Sequence, residues 1–374
     1  MQKIIQKGLD WLILKGFFAA QKHQYTQLEA SENELIQYNY QYGKVINPQL
    51  INLRYFDFLK QGYNFNNQLF EIKNAFIHAE SGGLLIDKKI FKPSFFNNYW
   101  YIISAGIYRY LFVKDKNAAK IEQGFLLTGN MSYNFYHFLI DSLPRVMDYL
   151  KLREKYPDLK LIINHPQPFC YDYLELLGIN RDNCIFLDKN ATVSQLFASN
   201  NKHSLNKPLH LYSNFVYSKA RLQQFAHFLI QKSQPLTPLK IKTGQKIYIS
   251  RRDAGTRVVI NEAEVFEYLQ KQGFEFILLS ELSIAAQIQL FANAQCIVTA
   301  HGAGLANLIY AQNALIIEFF PCNKNLATLY QMQQLSQVNE NKHILFVCGE
   351  VTTLQDVSVD IQQLKLVWKT ENQQ

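Results

Sequence analysis

The feature that most constrains this 374-residue chain is a regular beat between residues 246 and 347. Short apolar runs ("KIYIS", "EFILL", "CIVTA", "ALIIEFF", "HILFV") alternate with segments whose apolar residues recur at helical spacing. A strand with one wet face alternates polar and apolar residues, whereas a strand that is apolar throughout is covered on both faces. Such runs, separated by helical patterns at 261–272, 283–293, 303–311 and 325–336, predict a parallel, doubly wound α/β sheet. A further helix is predicted near 355–367.

Upstream the pattern is less regular. "LFEIKNAFIHA", "GGLLID", "YWYIISA" and "GFLLTG" read as short strands, with Gly82-Gly83 marking a hairpin. A helix over "NFYHFLIDSLPRV" follows, then "LKLIINH", a helix near 168–178, "NCIFLD", "VSQLFAS" and a helix near 213–232. The prolines and glycine of "QKSQPLTPLKIKTGQ" suit a linker. The expected organisation is a helical and loop-like extension over 1–60, a first α/β domain over 61–235, a second over 236–350, and a closing helix over 351–374.

Composition removes several classes. Hydrophobic content of 48% and charged content of 18% belong to a folded protein. A net charge of +8, with no dense Lys/Arg run and no finger or single-strand-binding motif, gives no nucleic-acid signature. It leaves a solvated basic surface, or attraction to anionic ligands or an anionic membrane surface. Cys170, Cys184, Cys296, Cys322 and Cys348 are far apart and form no C-x-x-C pair, which reads as free thiols in a reducing compartment. At the N-terminus, Asp10 and Lys15 interrupt the apolar run, so it is too short and too charged to span a bilayer. It reads as a packing helix first and an interfacial membrane helix second.

Ligands of a doubly wound sheet sit beyond the C-terminal ends of its strands. After "KIYIS" come Arg251, Arg252 and Arg257, whose guanidinium forks suit a pyrophosphate. After "CIVTA" comes "HGAGLAN", where Gly302 and Gly304 permit close backbone approach. The helix start that follows presents amides to an anion, and His301 can add a hydrogen bond. Within "ALIIEFFP", Glu318 is either a ribose-hydroxyl acceptor or a capped or paired edge residue. G-x-G-x-x-G does not occur, so a dinucleotide has no support.

The helix over "NFYHFLIDSLPRV" poses a separate question. At about 100° per residue, Asn134, His137, Asp141 and Arg145 fall within roughly 80° of its circumference, opposite Phe135, Leu139 and Leu143. Such a stripe either lines a cleft or bonds across an interface. Pro144 should kink the helix, so that Arg145 leaves the stripe. His137 and Asp141 are four apart and can touch. A carboxylate or imidazole in a cleft is a general base, with Asp141 as the base and His137 orienting it, or the reverse. No His-x-x-x-His or carboxylate cluster suggests a metal, and no G-x-S-x-G suggests a serine hydrolase.

Taken together, "NFYHFLIDSLPRV", "YISRRDAGTRVVINEAEV" and "VTAHGAGLANLIYAQNALIIEFFP" resemble, in order, the family 61 glycosyltransferases, often labelled capsular polysaccharide biosynthesis proteins in bacteria. Phe138 stands where the family pattern leads one to expect Trp. The resemblance implies a GT-B-like α/β fold, two Rossmann-like domains facing a central cleft. It implies inverting transfer of a sugar from a nucleotide-sugar (UDP-, GDP- or CMP-linked) to a hydroxyl of a glycan or lipid-linked glycan, with no cofactor or metal required. It places His137 and Asp141 on the acceptor side, and Arg251, Arg257, His301, Gly302 and Gly304 around the donor diphosphate. The associated setting is surface polysaccharide synthesis in the cytoplasm, at the inner face of the membrane. The alternative is a non-catalytic nucleotide-sugar or glycan-binding protein on the same fold.

Overall fold

The computed structural model describes residues 19–21, 24, 26–30, 34–36, 44–47, 63–65, 67–92, 107–200, 202–204, 215–236, 245–322, 326–350 and 352–372. The predicted N-terminal helix, the "YWYIISA" strand and most of the linker lie outside these residues. The chain forms two units, residues 1–36 with 63–225, and residues 37–62 with 226–374.

The second unit carries the sheet that the apolar runs predict. In space its strands run Phe274–Ile277, Gln245–Ile249, Ala294–Ala300, Leu315–Pro321 and Lys342–Glu350, all parallel. The central strands are buried because helices cover both faces; Tyr248, Val298, Ile317 and Phe346 share one core with Val265, Leu269, Leu364 and Trp368. In chain order the sheet reads 2-1-3-4-5. The connection reverses direction between Gln245–Ile249 and Ala294–Ala300, and a ligand crevice opens at that switch point in sheets of this kind.

In the first unit the sheet is mixed. Cys184–Leu187, Lys160–Asn164, Ala119–Leu126 and Ala191–Asn200 are parallel neighbours. Gln68–His78, Gly83–Ile86 and Lys89–Ile90 continue the sheet antiparallel. The expectation of a Rossmann-like domain therefore holds for only half of this sheet. The hairpin half follows from the Gly82 turn, which takes φ +62 and lies against the Thr128–Gly129 backbone, where a Cβ would come within 2.9 Å of Thr128 O. Only glycine combines that φ with that approach.

The described residues bear on the expected organisation in three places. Within 1–60, Thr26–Ala30 pairs with the first sheet, and Lys44–Ile46 adds a parallel strand to the second. The closing helix is Ile361–Glu371, started by Asp360, whose carboxylate accepts from Gln363 N at 3.1 Å. Its Leu364, Val367 and Trp368 complete the second core, so 351–374 is part of that unit. The segment after "HGAG" is a 3₁₀ helix, Ala303–Ile309, with no long helix dipole behind it.

Candidate functional sites

Two constellations carry chemistry, one in each unit. In the first unit, the chain enters through a turn that Asn134 caps, its Oδ1 accepting from Tyr136 N at 3.0 Å. It then winds as a π-helix over His137–Ser142, with Leu143 N–H bonding Phe138 O five residues back. Pro144 accounts for the widening: it has no N–H to give, and its ring crowds the carbonyl four residues earlier. The chain tightens to 3₁₀ across Leu143–Arg145 before Val146–Lys155 continues as α-helix. Arg221 secures this junction, donating to Pro144 O at 3.0 Å and gripping Asp148 at 2.6 and 3.1 Å. A two-pronged guanidinium–carboxylate pair of this kind fixes geometry. Nothing in the local sequence pattern around Arg221 announces the role, because its partner is 73 residues away.

His137 Nδ1 and Asp141 Oδ2 are 2.7 Å apart. The side chain of His137 is 14% exposed and that of Asp141 1%. A carboxylate oxygen only accepts, so Nδ1 carries the proton and the lone pair of a neutral ring sits on Nε2. The expected polar stripe is thus divided. Asn134 is spent on a cap. Arg145 is buried with its Nη1 directed at Leu127 O, 3.4 Å away, and is not presented to an acceptor. Burial lowers its pKa to about 10, while the charge of Asp141 works the other way. Arg145 is therefore a counter-charge within the fold, and Asp141 stands between it and His137. The apolar face is as the spacing predicts: Leu139 and Leu143 are buried, and Phe135 packs on Phe169 and Tyr173, with ring centroids 5.4 and 6.5 Å apart.

In the second unit, the loop after Gln245–Ile249 and the turn after Ala294–Ala300 meet at the switch point. Thr299 Oγ1 donates to Ile249 O at 3.0 Å, tying the two strand ends together. The Arg251 guanidinium lies directly on Gly302: a Cβ there would overlap Nη1 and sit 2.6 Å from Cζ. Gly302 has φ −179, extended backbone open to any residue, so the glycine is required by space and not by conformation. Gly304 leaves room for Leu279, whose Cδ1 would be 2.9 Å from a Cβ. Arg251 Nη2 donates to Thr256 O at 3.1 Å, and Arg257 Nε donates to His301 O at 2.9 Å. Burial lowers the pKa of Arg251 to about 10, and the charge of Arg257 pushes the same way. Two guanidinium groups held at one place, partly desolvated and repelling, form a ready site for an anion.

Arg252 does not join them. It is exposed, with its guanidinium carbon 4.9 Å from the ring centroid of Phe276, on the neighbouring strand. The chain turns here, Ala254 N bonding Arg251 O at 2.9 Å, and the two guanidinium groups part. Glu318 is fully buried. It bonds His301 Nδ1 through Oε1, and His343 Nε2 stands 2.9 Å from its Oε2. Of the two readings that the sequence left open, the paired residue is the one found, and Glu318 has no ribose-binding surface. Burial opposes its charge, yet the two imidazoles outweigh burial and hold its pKa down at about 2. His343 escaped the sequence reading because it heads an apolar strand, "HILFV", where an inward-facing histidine looks like an edge residue. Among the described residues no group of His, Cys, Asp and Glu is arranged to hold a metal ion.

The known proteins to which the chain is similar are of one class, the glycosyltransferases. Residues 135–317 match the family model Glycosyltransferase 61, a stretch just under half of the chain. That stretch contains the π-helix, the arginine loop and the glycine turn, and stops one residue before Glu318. The chain is also similar to two animal proteins: protein O-linked-mannose beta-1,4-N-acetylglucosaminyltransferase 2 from Bos taurus, 30% identical over 117 residues, and its counterpart from Canis lupus familiaris, 28% identical over 117. The aligned segment is 29% of this chain and 19% of each relative, so the chain spans about a fifth of the length of the curated relatives it matches. These relatives are animal enzymes and lend nothing to a bacterial capsular setting.

Proposed function

We propose that the chain transfers a sugar, with inversion, from a nucleotide-sugar to a hydroxyl of a glycan or lipid-linked glycan. The observation that carries this reading is the Arg251 guanidinium lying on Gly302 at the switch point of a 2-1-3-4-5 sheet. In it a nucleoside diphosphate leaving group meets Arg251 and Arg257, which neutralise the charge that develops as the bond breaks. His137 Nε2 takes the proton of the acceptor hydroxyl, whose oxygen attacks the anomeric carbon. The bond from that carbon to the diphosphate breaks, and its electron pair leaves with the nucleoside diphosphate. Asp141 holds the His137 tautomer and steadies the imidazolium that forms. The exposures favour these roles over the reverse assignment: Asp141 is enclosed, and the ring of His137 reaches solvent.

A GT-B-like fold is part of this proposal. So is an N-acetylhexosamine donor, prompted by the name of the animal relatives. A surface polysaccharide acceptor reached from the cytoplasmic side of a membrane rests on the sequence resemblance alone. Among the described residues no helix is long and apolar enough to cross a membrane.

Thermal unfolding with UDP, GDP and CMP, and with their common sugars, tests the donor half. A ligand at about 100 times its Kd adds about 2.7 kcal/mol to stability. One nucleotide should stabilise the wild type and not Arg251→Ala. Equal stabilisation of both proteins, or of neither by any nucleotide, would reject the donor site.

A further inference from the structure

A chain of four polar side chains runs from the second unit's interior to its nucleotide turn. Ser336, on the helix Leu326–Val338, places Oγ 2.9 Å from His343 Nδ1. His343 places Nε2 2.9 Å from Glu318 Oε2, and Glu318 Oε1 bonds His301 Nδ1. His301 immediately precedes Gly302, and its carbonyl accepts from Arg257. All four residues are buried. They come from three separate elements and a turn: the helix, the strands Leu315–Pro321 and Lys342–Glu350, and the segment after Ala294–Ala300. Register makes this arrangement: Ile316 pairs with His343 and Glu318 with Leu345, so His343 lies diagonally beside Glu318.

A buried carboxylate persists as an anion only where its charge is met. Oε1 bonds His301 Nδ1, while Oε2 lies 2.9 Å from His343 Nε2 in an ion-pair contact without hydrogen-bond alignment; a carboxylate has no proton to give, so a ring nitrogen held this close to it carries one. Ser336 Oγ also lies 3.2 Å from Met332 O. Its hydroxyl can donate to that carbonyl while accepting from His343, or can donate to His343. In the second case the neutral ring carries its proton on Nε2, toward Glu318; in the first, Nδ1 and Nε2 both carry protons only if the ring is an imidazolium. The Glu318 carboxylate is thereby held between two fixed partners, and its other oxygen sets the tautomer and the plane of the His301 ring.

We infer that His343 is a positioning residue for the donor site, acting through Glu318 on His301. This rests on the proposed donor reading for its functional consequence, though not for its geometry. The charged groups around the array are His301 and His343 on Glu318 itself, Arg257 on the His301 carbonyl, and Arg251 over Gly302. Removing His343 leaves one oxygen of a buried carboxylate facing apolar side chains. Glu318 then takes up a proton at higher pH, and the His301 ring loses its fixed acceptor.

The test is ¹⁵N NMR of the histidine ring nitrogens in the full chain, titrated from pH 8 to 5, with His301 assigned by its loss in His301→Gln. Wild type should show a protonated Nδ1 on His301 throughout. His343→Leu should move the His301 ring signals and shift their titration by at least half a pH unit. His343→Gln, whose amide can still donate to Glu318, should keep the wild-type tautomer. Should His343→Leu fail to fold, His343→Asn, whose shorter amide falls short of Glu318, gives the same comparison. Unchanged His301 signals and titration in the Leu or Asn variant would overturn the inference. The variants are then compared in binding UDP, GDP and CMP, where Leu or Asn should weaken the productive nucleotide at least fivefold and Gln less than twofold. Equal binding by all would overturn the link to the donor site. No binding by wild type would strike the donor reading instead, with the NMR result standing on its own.

Discussion

Gly302→Ala isolates the contact on which the donor site depends. The substitution adds one methyl group at φ −179, where alanine is unstrained, so the backbone need not move. The methyl instead occupies the place of the Arg251 guanidinium. The arginine is the mobile partner and swings away, losing its bond to Thr256 O at 3.1 Å. A hydrogen bond from a charged donor contributes about 1.5–3 kcal/mol. Part of that returns as the guanidinium regains water, which leaves a net loss of about 1–2 kcal/mol. At roughly 2–4 °C per kcal/mol for a unit of this size, the expected drop in Tm is several degrees. Nucleotide-induced stabilisation should vanish as fully as it does in Arg251→Ala. In an Arg251→Ala background the three nearest atoms to the methyl, all of Arg251, are gone, so Gly302→Ala should cost less than about 0.5 kcal/mol there, giving a coupling of about 1–2 kcal/mol. Calorimetry of the four proteins, with and without nucleotide, measures all of this. Additive effects, or a Gly302→Ala protein that keeps its nucleotide shift, would refute the reasoning.

Other perturbations separate the remaining roles. Asp141→Ala leaves Arg145 as a buried cation without its neighbouring carboxylate and should cost about 3–5 kcal/mol; His137→Ala, at a partly exposed ring, should cost about 1 kcal/mol, and chemical denaturation distinguishes them. Both should lower kcat by about 10²-fold or more, read by nucleotide release from the donor. The pKa of Glu318 is about 2 in the fold against 4.5 ordinarily. The unfolded chain therefore takes up the proton first, and the stabilisation is present above about pH 4.5 and lost as pH falls toward 2. That difference amounts to something on the order of 3 kcal/mol, and urea midpoints between pH 5 and 3 should fall more steeply in wild type than in Glu318→Gln. Gly82→Ala meets Thr128 and Gly129 backbone at positive φ and should destabilise by about 1–3 kcal/mol, seen as a lower Tm. Arg252→Ala should leave nucleotide binding within twofold in the same thermal assay, because Arg252 rests on Phe276.

Much of the second unit was legible in the chain itself. Unbroken apolar runs have one stable solution, a sheet covered on both faces, and the residues after its strands must then lie at the ligand edge. That reasoning reached Arg251, Arg257, His301 and Gly302 without coordinates. The spacing of His137 and Asp141 likewise brought them into contact, since residues four apart on a helix are neighbours. Periodicity gives no information about what lies across from a residue. The proline-driven π turn, the enclosure of Asp141 and Arg145, and the departure of Arg252 to Phe276 follow from packing against segments distant in sequence. Glu318 shows the difference most plainly. A carboxylate near the end of an apolar strand reads from sequence as a ligand or as a paired residue. The choice was made by His301, 17 residues away, and by His343, placed beside it only by the register of the next strand. Local pattern determines which element forms. The partner of a buried charge is set by how elements far apart in the chain come together, because only the assembled fold brings a counter-charge within reach.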